Sequence, residues 1–170
     1  MVIDDMNAAH PQVGSGARWQ VITDQVMGGV SRGAIMRETV GGRVSIHLRG
    51  YVRLENNGGF VQMALDLARD GGLLDASAFD GVEIDVFGNG ERYALHLRTA
   101  AVTLPWQSYR QGFLAIASWQ TVRLPFSGFE PHRIGQPLDP RQLRRVGIVA
   151  IGRAFDADIS LSRIALYRFG

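Results

Sequence analysis

The sequence predicts an all-β fold, an antiparallel β-sandwich with one short helix. Two observations carry this prediction: apolar and polar residues alternate in many segments, and 21 glycines among 170 residues fall mostly between those segments. Strict alternation places the apolar side chains on one face of a strand, and glycine supplies the backbone conformations that turns require. Short strands separated by turn residues about every 8–12 residues are typical of a sandwich.

The alternation is clearest in five segments, at residues 44–48, 61–67, 82–86, 93–97 and 122–124. Turn residues at 88–90 separate the third segment from the fourth and predict a β-hairpin there. The residues on the apolar phase are the predicted core: Val44, Ile46, Leu48, Val61, Met63, Leu65, Ile84, Leu95, Leu97, Val122, Leu124 and Ile159.

The C-terminal third predicts the short helix and two further strands. Asp139 is a suitable N-cap and Pro140 a suitable first helical residue, so we expect about two turns of helix through Val146. Residues 148–151 are almost uniformly apolar, as in a strand buried on both faces. The apolar phase shifts between Ile159 and Ile164, which predicts a β-bulge in the last strand.

We expect a single sandwich domain at residues 18–170, preceded by a loose N-terminal arm at residues 1–17 that is rich in small and polar residues. No apolar run approaches the length of a membrane-spanning helix. The start is acidic, unlike a secretory signal. We therefore expect a cytoplasmic location, with the periphery of the inner membrane as an alternative.

Composition excludes several kinds of chemistry. The chain has no cysteine, so disulfides, thiolate zinc sites and cysteine nucleophiles are excluded. All 18 basic residues are arginine, which excludes lysine-based catalysis. The arginines are scattered and the net charge is only +2, so nucleic acid is not an expected partner.

Catalytic and metal-binding patterns are weak. His47 and His96 lie on the polar phase of predicted strands, and we expect both to be exposed. Glu83 and Asp85 share one strand face, where a solvent-facing role is expected rather than glycoside hydrolysis. We expect no metal and no cofactor, with Asp156 and Asp158 left open as oxygen ligands for calcium.

The most unusual stretch is an apolar, glycine-rich loop after a predicted strand, and further motifs follow it in order. They are Trp19-Gln20-Val21-Ile22-Thr23-Asp24-Gln25-Val26-Met27-Gly28-Gly29-Val30-Ser31-Arg32-Gly33, Leu54-Glu55-Asn56-Asn57-Gly58-Gly59-Phe60, Phe79-Asp80-Gly81-Val82-Glu83-Ile84, Gly88-Asn89-Gly90-Glu91-Arg92-Tyr93 and Trp119-Gln120-Thr121-Val122-Arg123-Leu124-Pro125-Phe126. Together they resemble the complex I intermediate-associated protein 30 family over residues 18–169. The resemblance implies a galactose-binding-like jelly-roll sandwich.

The resemblance also implies an auxiliary protein in the assembly of respiratory NADH:ubiquinone oxidoreductase, without catalytic residues. The favoured hypothesis is therefore a non-enzymatic protein-binding module, acting as a chaperone for a respiratory-complex subunit or assembly intermediate. Exposed methionine adapts to irregular surfaces, and glycine leaves its backbone open to a partner. The binding surface predicted from these motifs contains Asp24, Met27, Gly28, Gly29, Ser31, Asn56, Asn57, Gly58 and Gly59. The alternative for the loop is that Met27 enters the core and the glycines only set turns.

The runner-up hypothesis is a module that binds a carbohydrate or another small ligand. Trp106 and Tyr109 lie in an irregular stretch and are predicted to stack on a sugar ring. Arg98 or Arg110, together with Asn57, would donate hydrogen bonds to it. Aromatics packed in the core or at its rim are the alternative.

Overall fold

The computed structural model describes residues 1–7 and 16–169. This part of the chain forms two antiparallel β-sheets with the apolar core between them, which confirms the predicted sandwich. The strands are β1 Val2–Asp4, β2 Gln20–Thr23, β3 Arg32–Val40, β4 Arg43–Val52, β5 Phe60–Asp66, β6 Gly81–Phe87, β7 Glu91–Thr99, β8 Ser108–Ala115, β9 Gln120–Pro125, β10 Glu130–His132, β11 Leu143–Ile151 and β12 Phe155–Tyr167.

The two sheets draw their strands from distant parts of the chain. The first sheet has the order β3-β4-β12-β6-β9, and β1 pairs with β12 beside it. The second sheet has the order β10-β8-β7-β11-β5-β2. Because most neighbours in each sheet are not consecutive in sequence, the sandwich is fixed by long-range pairings.

The apolar phase of the alternating segments forms the core, as predicted. Ten of the twelve predicted core residues are buried: Ile46, Leu48, Val61, Met63, Leu65, Ile84, Leu95, Leu97, Leu124 and Ile159. Val122 is half-buried and packs against the core from the edge strand β9. The prediction is wrong for Val44, which is 45% exposed because it lies beside the β3–β4 turn at the rim of the core.

The predicted hairpin of residues 82–86 with 93–97 is wrong, because β6 and β7 belong to different sheets. The turn between them crosses from the first sheet to the second. Its backbone pairs with the end of β8, since the amides of Gly88 and Gly90 donate to the carbonyls of Ile116 and Ala115, each at 2.8 Å.

The predicted helix is reduced to one 3-10 turn, Pro140–Gln142. Asp139 does cap it, accepting from the Arg141 amide at 3.0 Å. The turn ends at once because Leu143 and Val146 lie in β11, which pairs with both β5 and β7. In the last strand the predicted bulge is confirmed, as the β12–β6 register shifts between Leu161 and Arg163.

The expectation of a loose arm is wrong for the first residues. Val2–Asp4 form a strand paired with β12, and Met6 is buried in the core. The buried Asp4 carboxylate accepts from Trp19 Nε1 at 2.8 Å. Residues 8–15 of the expected arm, including His10, lie outside the described residues. Within the described ranges, no helix is long and apolar enough to cross a bilayer.

Candidate functional site

A buried carboxylate, Asp24, joins the two glycine-rich motifs. Asp24 follows β2 and begins the 3-10 turn Asp24–Met27. Its carboxylate accepts from the Ser31 amide at 3.0 Å, from the Ser31 hydroxyl, from the Gly59 amide at 2.6 Å and from the Phe60 amide at 3.2 Å. The 24–31 loop is thereby fixed against the start of β5.

These hydrogen bonds stabilise the ionised form of Asp24. Burial raises the pKa of the Asp24 carboxyl, but bonds from the Ser31 hydroxyl and from three backbone amides lower it further than burial raises it. The net pKa lies below its usual value. Asp24 is therefore an internal anion that holds two loops together.

Two glycines of the motifs are required by the close approach of Asp24. A Cβ at Gly29 would lie 2.4 Å from Asp24 Cγ, and one at Gly58 would lie 2.6 Å from Asp24 Oδ2. Asp24 and Ser31 are also buried. The prediction that Asp24, Gly29 and Ser31 form a partner surface is therefore not supported by their placement, since their groups face one another.

Of the remaining motif residues, Gly59 is buried and the other four lie at the surface. Asn56 and Asn57 are exposed and adopt left-handed backbone conformations, with φ of 58° and 59°. Gly28 is exposed with φ of 86°. Met27 is exposed, so the alternative in which it enters the core is wrong.

The 24–31 loop and the 54–59 loop border a cleft on the outer face of the second sheet. Its volume is about 490 Å³. Side chains alternate along the strands of this sheet, so those on one face form the core and those on the other face form the floor of the cleft. The described floor residues are Gln62 of β5, His96 and Arg98 of β7, Ser108 and Arg110 of β8, and Arg145, Gly147 and Val149 of β11.

Three segments form the walls of the cleft. The first comprises Met27, Leu54 and the 57–60 segment, and the second is the β7–β8 loop with Trp106. The third comprises His132 and Arg133, at the end of β10. Trp106 is 46% exposed, which leaves an indole face open to a ligand.

His96 lies in the middle of the cleft floor. In the sheet register it pairs with Arg110 on one side and with Gly147 on the other. Its Nε2 is buried and has no hydrogen-bond partner within the described residues. Burial lowers the pKa of His96 to about 3, and the charges of Arg110, His132 and Arg98 lower it as well.

The expectation that both strand histidines are exposed is wrong. His96 is buried in the cleft floor, and His47 is buried on the outer face of the first sheet. His47 is held between two carboxylates, since Nδ1 contacts Glu38 Oε1 and Nε2 contacts Asp158 Oδ1. Alternation placed both residues on the polar phase, but it does not indicate which loops or side chains cover that phase.

Positive charge is concentrated in the cleft. The described lining residues include four arginines and no carboxylate. Arg145 is neutralised by Asp66, at 2.8 Å between Nε and Oδ1. Within the described residues, Arg98, Arg110 and Arg133 form no ion pair with a carboxylate.

Arg98 and Arg110 differ in the hydrogen bonds that their guanidinium groups donate. Arg98 Nη1 donates to the carbonyl of Gln107 at 3.1 Å, which fixes the loop that carries Trp106. Arg110 Nε donates to Ser108 Oγ at 2.9 Å, and its two terminal nitrogens have no protein partner in the described part of the chain. Burial lowers the pKa of Arg110, and the charge of Arg133 adds to this effect.

Tyr109 does not face the cleft, so its predicted stacking role is wrong. It is fully buried and its hydroxyl donates to the carbonyl of Gln136 at 2.9 Å. Its neighbours Ser108 and Arg110 point the opposite way because side chains alternate along β8. Arg98, Arg110, Asn57 and Trp106 do line the cleft, as the carbohydrate hypothesis requires.

Of the four carboxylates that the sequence places in pairs on the first sheet, Asp156 is exposed and the other three are held by internal contacts. Glu83 accepts from Arg163 at 2.7 Å and from Arg123 at 3.0 Å. Asp85 accepts from Thr121 Oγ1 at 2.6 Å. Asp158 contacts His47, and no three histidine, aspartate or glutamate side chains of the described ranges are grouped for a metal ion.

Comparison with known proteins identifies the family of the chain. The sequence profile of the family described as Complex I intermediate-associated protein 30 matches residues 7–162. No curated protein matches the chain at a significant level.

Solved structures with the same fold include carbohydrate-binding modules. The family 11 module of the cellulosomal cellulase Lic26A-Cel5E of Clostridium thermocellum has a TM-score of 0.74 at 13% identity, over 99% of this chain and 94% of that one. A Clostridium thermocellum family 11 module in complex with a β-1,3-1,4-mixed-linked tetrasaccharide has a TM-score of 0.72 at 14% identity, over 98% and 94%. A family 30 carbohydrate-binding module has a TM-score of 0.68 at 15% identity, over 100% and 90%. At such low identity these similarities establish the fold alone.

Proposed function

Because the chain belongs to the Complex I intermediate-associated protein 30 family, whose fold here is that of carbohydrate-binding modules, we propose that it is a non-catalytic binding module that holds a saccharide in the cleft of the second sheet. The observation that carries this proposal is the unpartnered Nε2 of His96 on a cleft floor of polar side chains. A buried polar atom without a partner is unfavourable, so a ligand that bonds to it gains free energy.

The side chains of the cleft suit a saccharide. Sugar hydroxyls donate and accept hydrogen bonds, and Gln62, Asn57 and Ser108 supply both kinds of group. The apolar faces of sugar rings pack on aromatic rings, and Trp106 offers an exposed indole at the wall. A cleft of about 490 Å³ lies within the range of ligand sites.

Binding without cleavage is favoured by the charges of the cleft. Glycoside hydrolysis uses two carboxyl groups that flank the scissile bond. The described residues that line the cleft include no aspartate or glutamate. The cleft therefore lacks the acid and the nucleophile or base that such a reaction needs.

The test is isothermal titration calorimetry of the full chain with tetrasaccharides of four kinds: cellulose-derived, mixed-linked β-glucan-derived, agarose-derived and galacturonate-derived. We expect at least one to bind, and Trp106→Ala to weaken that binding by about tenfold or more. Tyr51→Ala is the matched control, because Tyr51 is an exposed aromatic residue of the first sheet. Absence of binding by all four at concentrations of about 10 mM would contradict the proposal.

A second candidate function is protein binding at the 24–31 loop, in the assembly of respiratory complex I. The observation that favours it is a group of exposed apolar side chains, Val26, Met27 and Val30, of which Val26 is 67% exposed. Such groups are typical of protein-binding surfaces. The family description supplies the class of partner.

The Val26→Asp variant tests this second function apart from the first, since Val26 is not among the cleft residues. We expect it to abolish co-purification of NADH:ubiquinone oxidoreductase subunits from the native host, with the melting temperature within a few degrees of the wild type. Met27→Asp should act in the same way and also disturb the cleft wall. Retention of those subunits by both folded variants would remove the loop from the partner surface.

A further inference from the structure

We propose that the cleft selects an acidic saccharide, a chain of sugar residues that carry carboxylate groups. This inference rests on the proposed function and adds the ligand's charge to it. Its basis is that the unpartnered Nε2 of His96 and the free terminal guanidinium nitrogens of Arg110 lie on the same cleft floor, and that this floor carries no carboxylate.

The unliganded cleft concentrates like charges. Arg98 and Arg110 are partly buried, and burial lowers the pKa of each. Neighbouring guanidinium charges lower both values as well: those of Arg145 and Arg144 act on Arg98, and that of Arg133 acts on Arg110. Partly desolvated charges of one sign are unfavourable together until a counter-charge lies among them.

The counter-charge does not come from the described protein. Asp66 is bonded to Arg145. Glu130 pairs with Arg110 in the sheet register, but it is exposed and forms no ion pair with Arg110. A carboxylate on the ligand would supply the missing charge.

The geometry of the floor suits a carboxylate. Arg110 and His96 occupy directly paired positions of β8 and β7, so their side chains emerge next to one another on the same face. The two terminal nitrogens of Arg110 form a planar pair of donors that matches the two carboxylate oxygens. His96 Nε2, in the tautomer that carries hydrogen there, donates to the same group.

A saccharide fits the cleft better than a nucleic acid does. The cleft places Arg98, Arg110 and Arg133 around one floor. A nucleic-acid chain needs positive charge along an extended path. The remaining floor groups, Gln62 and Ser108, are uncharged and suited to hydroxyl groups. The acidic group thus determines the selectivity, and the hydroxyl groups and Trp106 provide the rest of the contact.

The experiment is calorimetric titration of the full chain with tetragalacturonate and with its methyl ester, which has the same skeleton without charge. We expect the acid to bind at least tenfold more tightly than the ester, and this advantage to fall as sodium chloride rises from about 50 to 500 mM. A single-stranded DNA hexamer is the polyanion control, and we expect it to bind more weakly than the acid.

Variants assign the selectivity to the floor. Arg110→Gln should weaken binding of the acid far more than binding of the ester and so remove most of the preference for the acid. Arg110→Lys keeps the charge but loses the paired donors, and it should retain part of the preference. Arg49→Gln, on an exposed arginine of the first sheet, is the matched control and should change neither. The melting temperature of each variant confirms its folding.

The outcomes separate the two proposals. Equal affinity for acid and ester, or DNA binding as tight as that of the acid, would overturn the acidic selectivity while the saccharide tests above still stand. Absence of binding by acid, ester and the neutral tetrasaccharides would overturn both. An unchanged preference in a folded Arg110→Gln protein would overturn the assignment to the floor.

Discussion

At the scale of single residues, Asp24 determines the shape of one cleft wall. It is fully buried, and its two oxygens accept four hydrogen bonds from two loops. The motif glycines beside it leave room for the carboxylate rather than for a partner. The motif that carries the family resemblance is thus chiefly a structural element that positions Met27 and Asn57 at the cleft.

We expect Asp24→Asn to destabilise the protein by about 2–4 kcal/mol, because an amide has one acceptor oxygen and leaves backbone donors unpaired. Urea unfolding measures this loss. Asp70→Asn is the matched control, since Asp70 is exposed and its left-handed backbone suits asparagine. Equal stability of the two variants would show that the Asp24 hydrogen bonds contribute little.

His96 makes the stability depend on pH. Its folded-state pKa, about 3, lies below the unfolded value of about 6.5, so the unfolded chain binds more protons between these values. The contribution of neutral His96 to the free energy of unfolding is complete above pH 6.5 and decreases as pH falls toward 3. From pH 7.5 to pH 5 we expect a loss of about 2 kcal/mol from this residue.

Urea unfolding of the wild type and of His96→Gln at both pH values measures this effect. We expect the variant to lose less stability than the wild type over that interval, because glutamine does not titrate. His132→Gln is the control, because His132 is a less buried histidine. Burial and the charges of Arg110 and Arg133 lower the pKa of His132 as well. An identical pH dependence in wild type and His96→Gln would contradict the buried, neutral state of His96.

At the scale of strands, the alternation of apolar and polar residues predicted which side chains enter the core. The polar residues between them, on the opposite face of the same strands, form the cleft floor. In β7, Leu95 and Leu97 face the core while His96 and Arg98 face the cleft. The same rule applied to β8 places Tyr109 in the core, since Ser108 and Arg110 face the cleft. The error for Tyr109 came from reading its stretch as irregular rather than as a strand.

Pairing between strands was not predictable in the same way. The segments of β6 and β7 are close in sequence and alternate in phase, yet they join different sheets. Local residue patterns carry no information on which distant strand, here β12 or β11, completes each sheet. The helix prediction failed for a related reason, because the pairing of β11 overrides the local preference after Pro140.

Core substitutions test the assigned faces. We expect Leu95→Ala and Ile84→Ala each to destabilise the protein by about 2–5 kcal/mol, since both side chains are fully buried in opposite sheets. Val44→Ala should cost less than about 1 kcal/mol at its exposed position. Thermal or urea unfolding measures all three, and a loss at Val44 as large as that at Leu95 would contradict the assignment.

At the scale of the whole molecule, the folded sandwich brings together two candidate surfaces that the sequence analysis treated as separate. Met27 and Gly58 belonged to one hypothesis, Arg98 and Trp106 belonged to the other, and all four line one cleft. His132, Arg133 and Arg145 were missed because no motif marks them. Sheet order alone brings β10 and β11 to the same face as β7.

The most direct test of the central claim, that this cleft is the ligand surface, is a nitrogen–proton NMR titration of the full chain with tetragalacturonate. We expect the largest chemical-shift changes at amides of β7, β8 and β11, at the Trp106 indole and at the 57–60 segment, with little change in β3, β4 and β9. Shift changes confined to the first sheet, or no changes at saturating ligand, would contradict it.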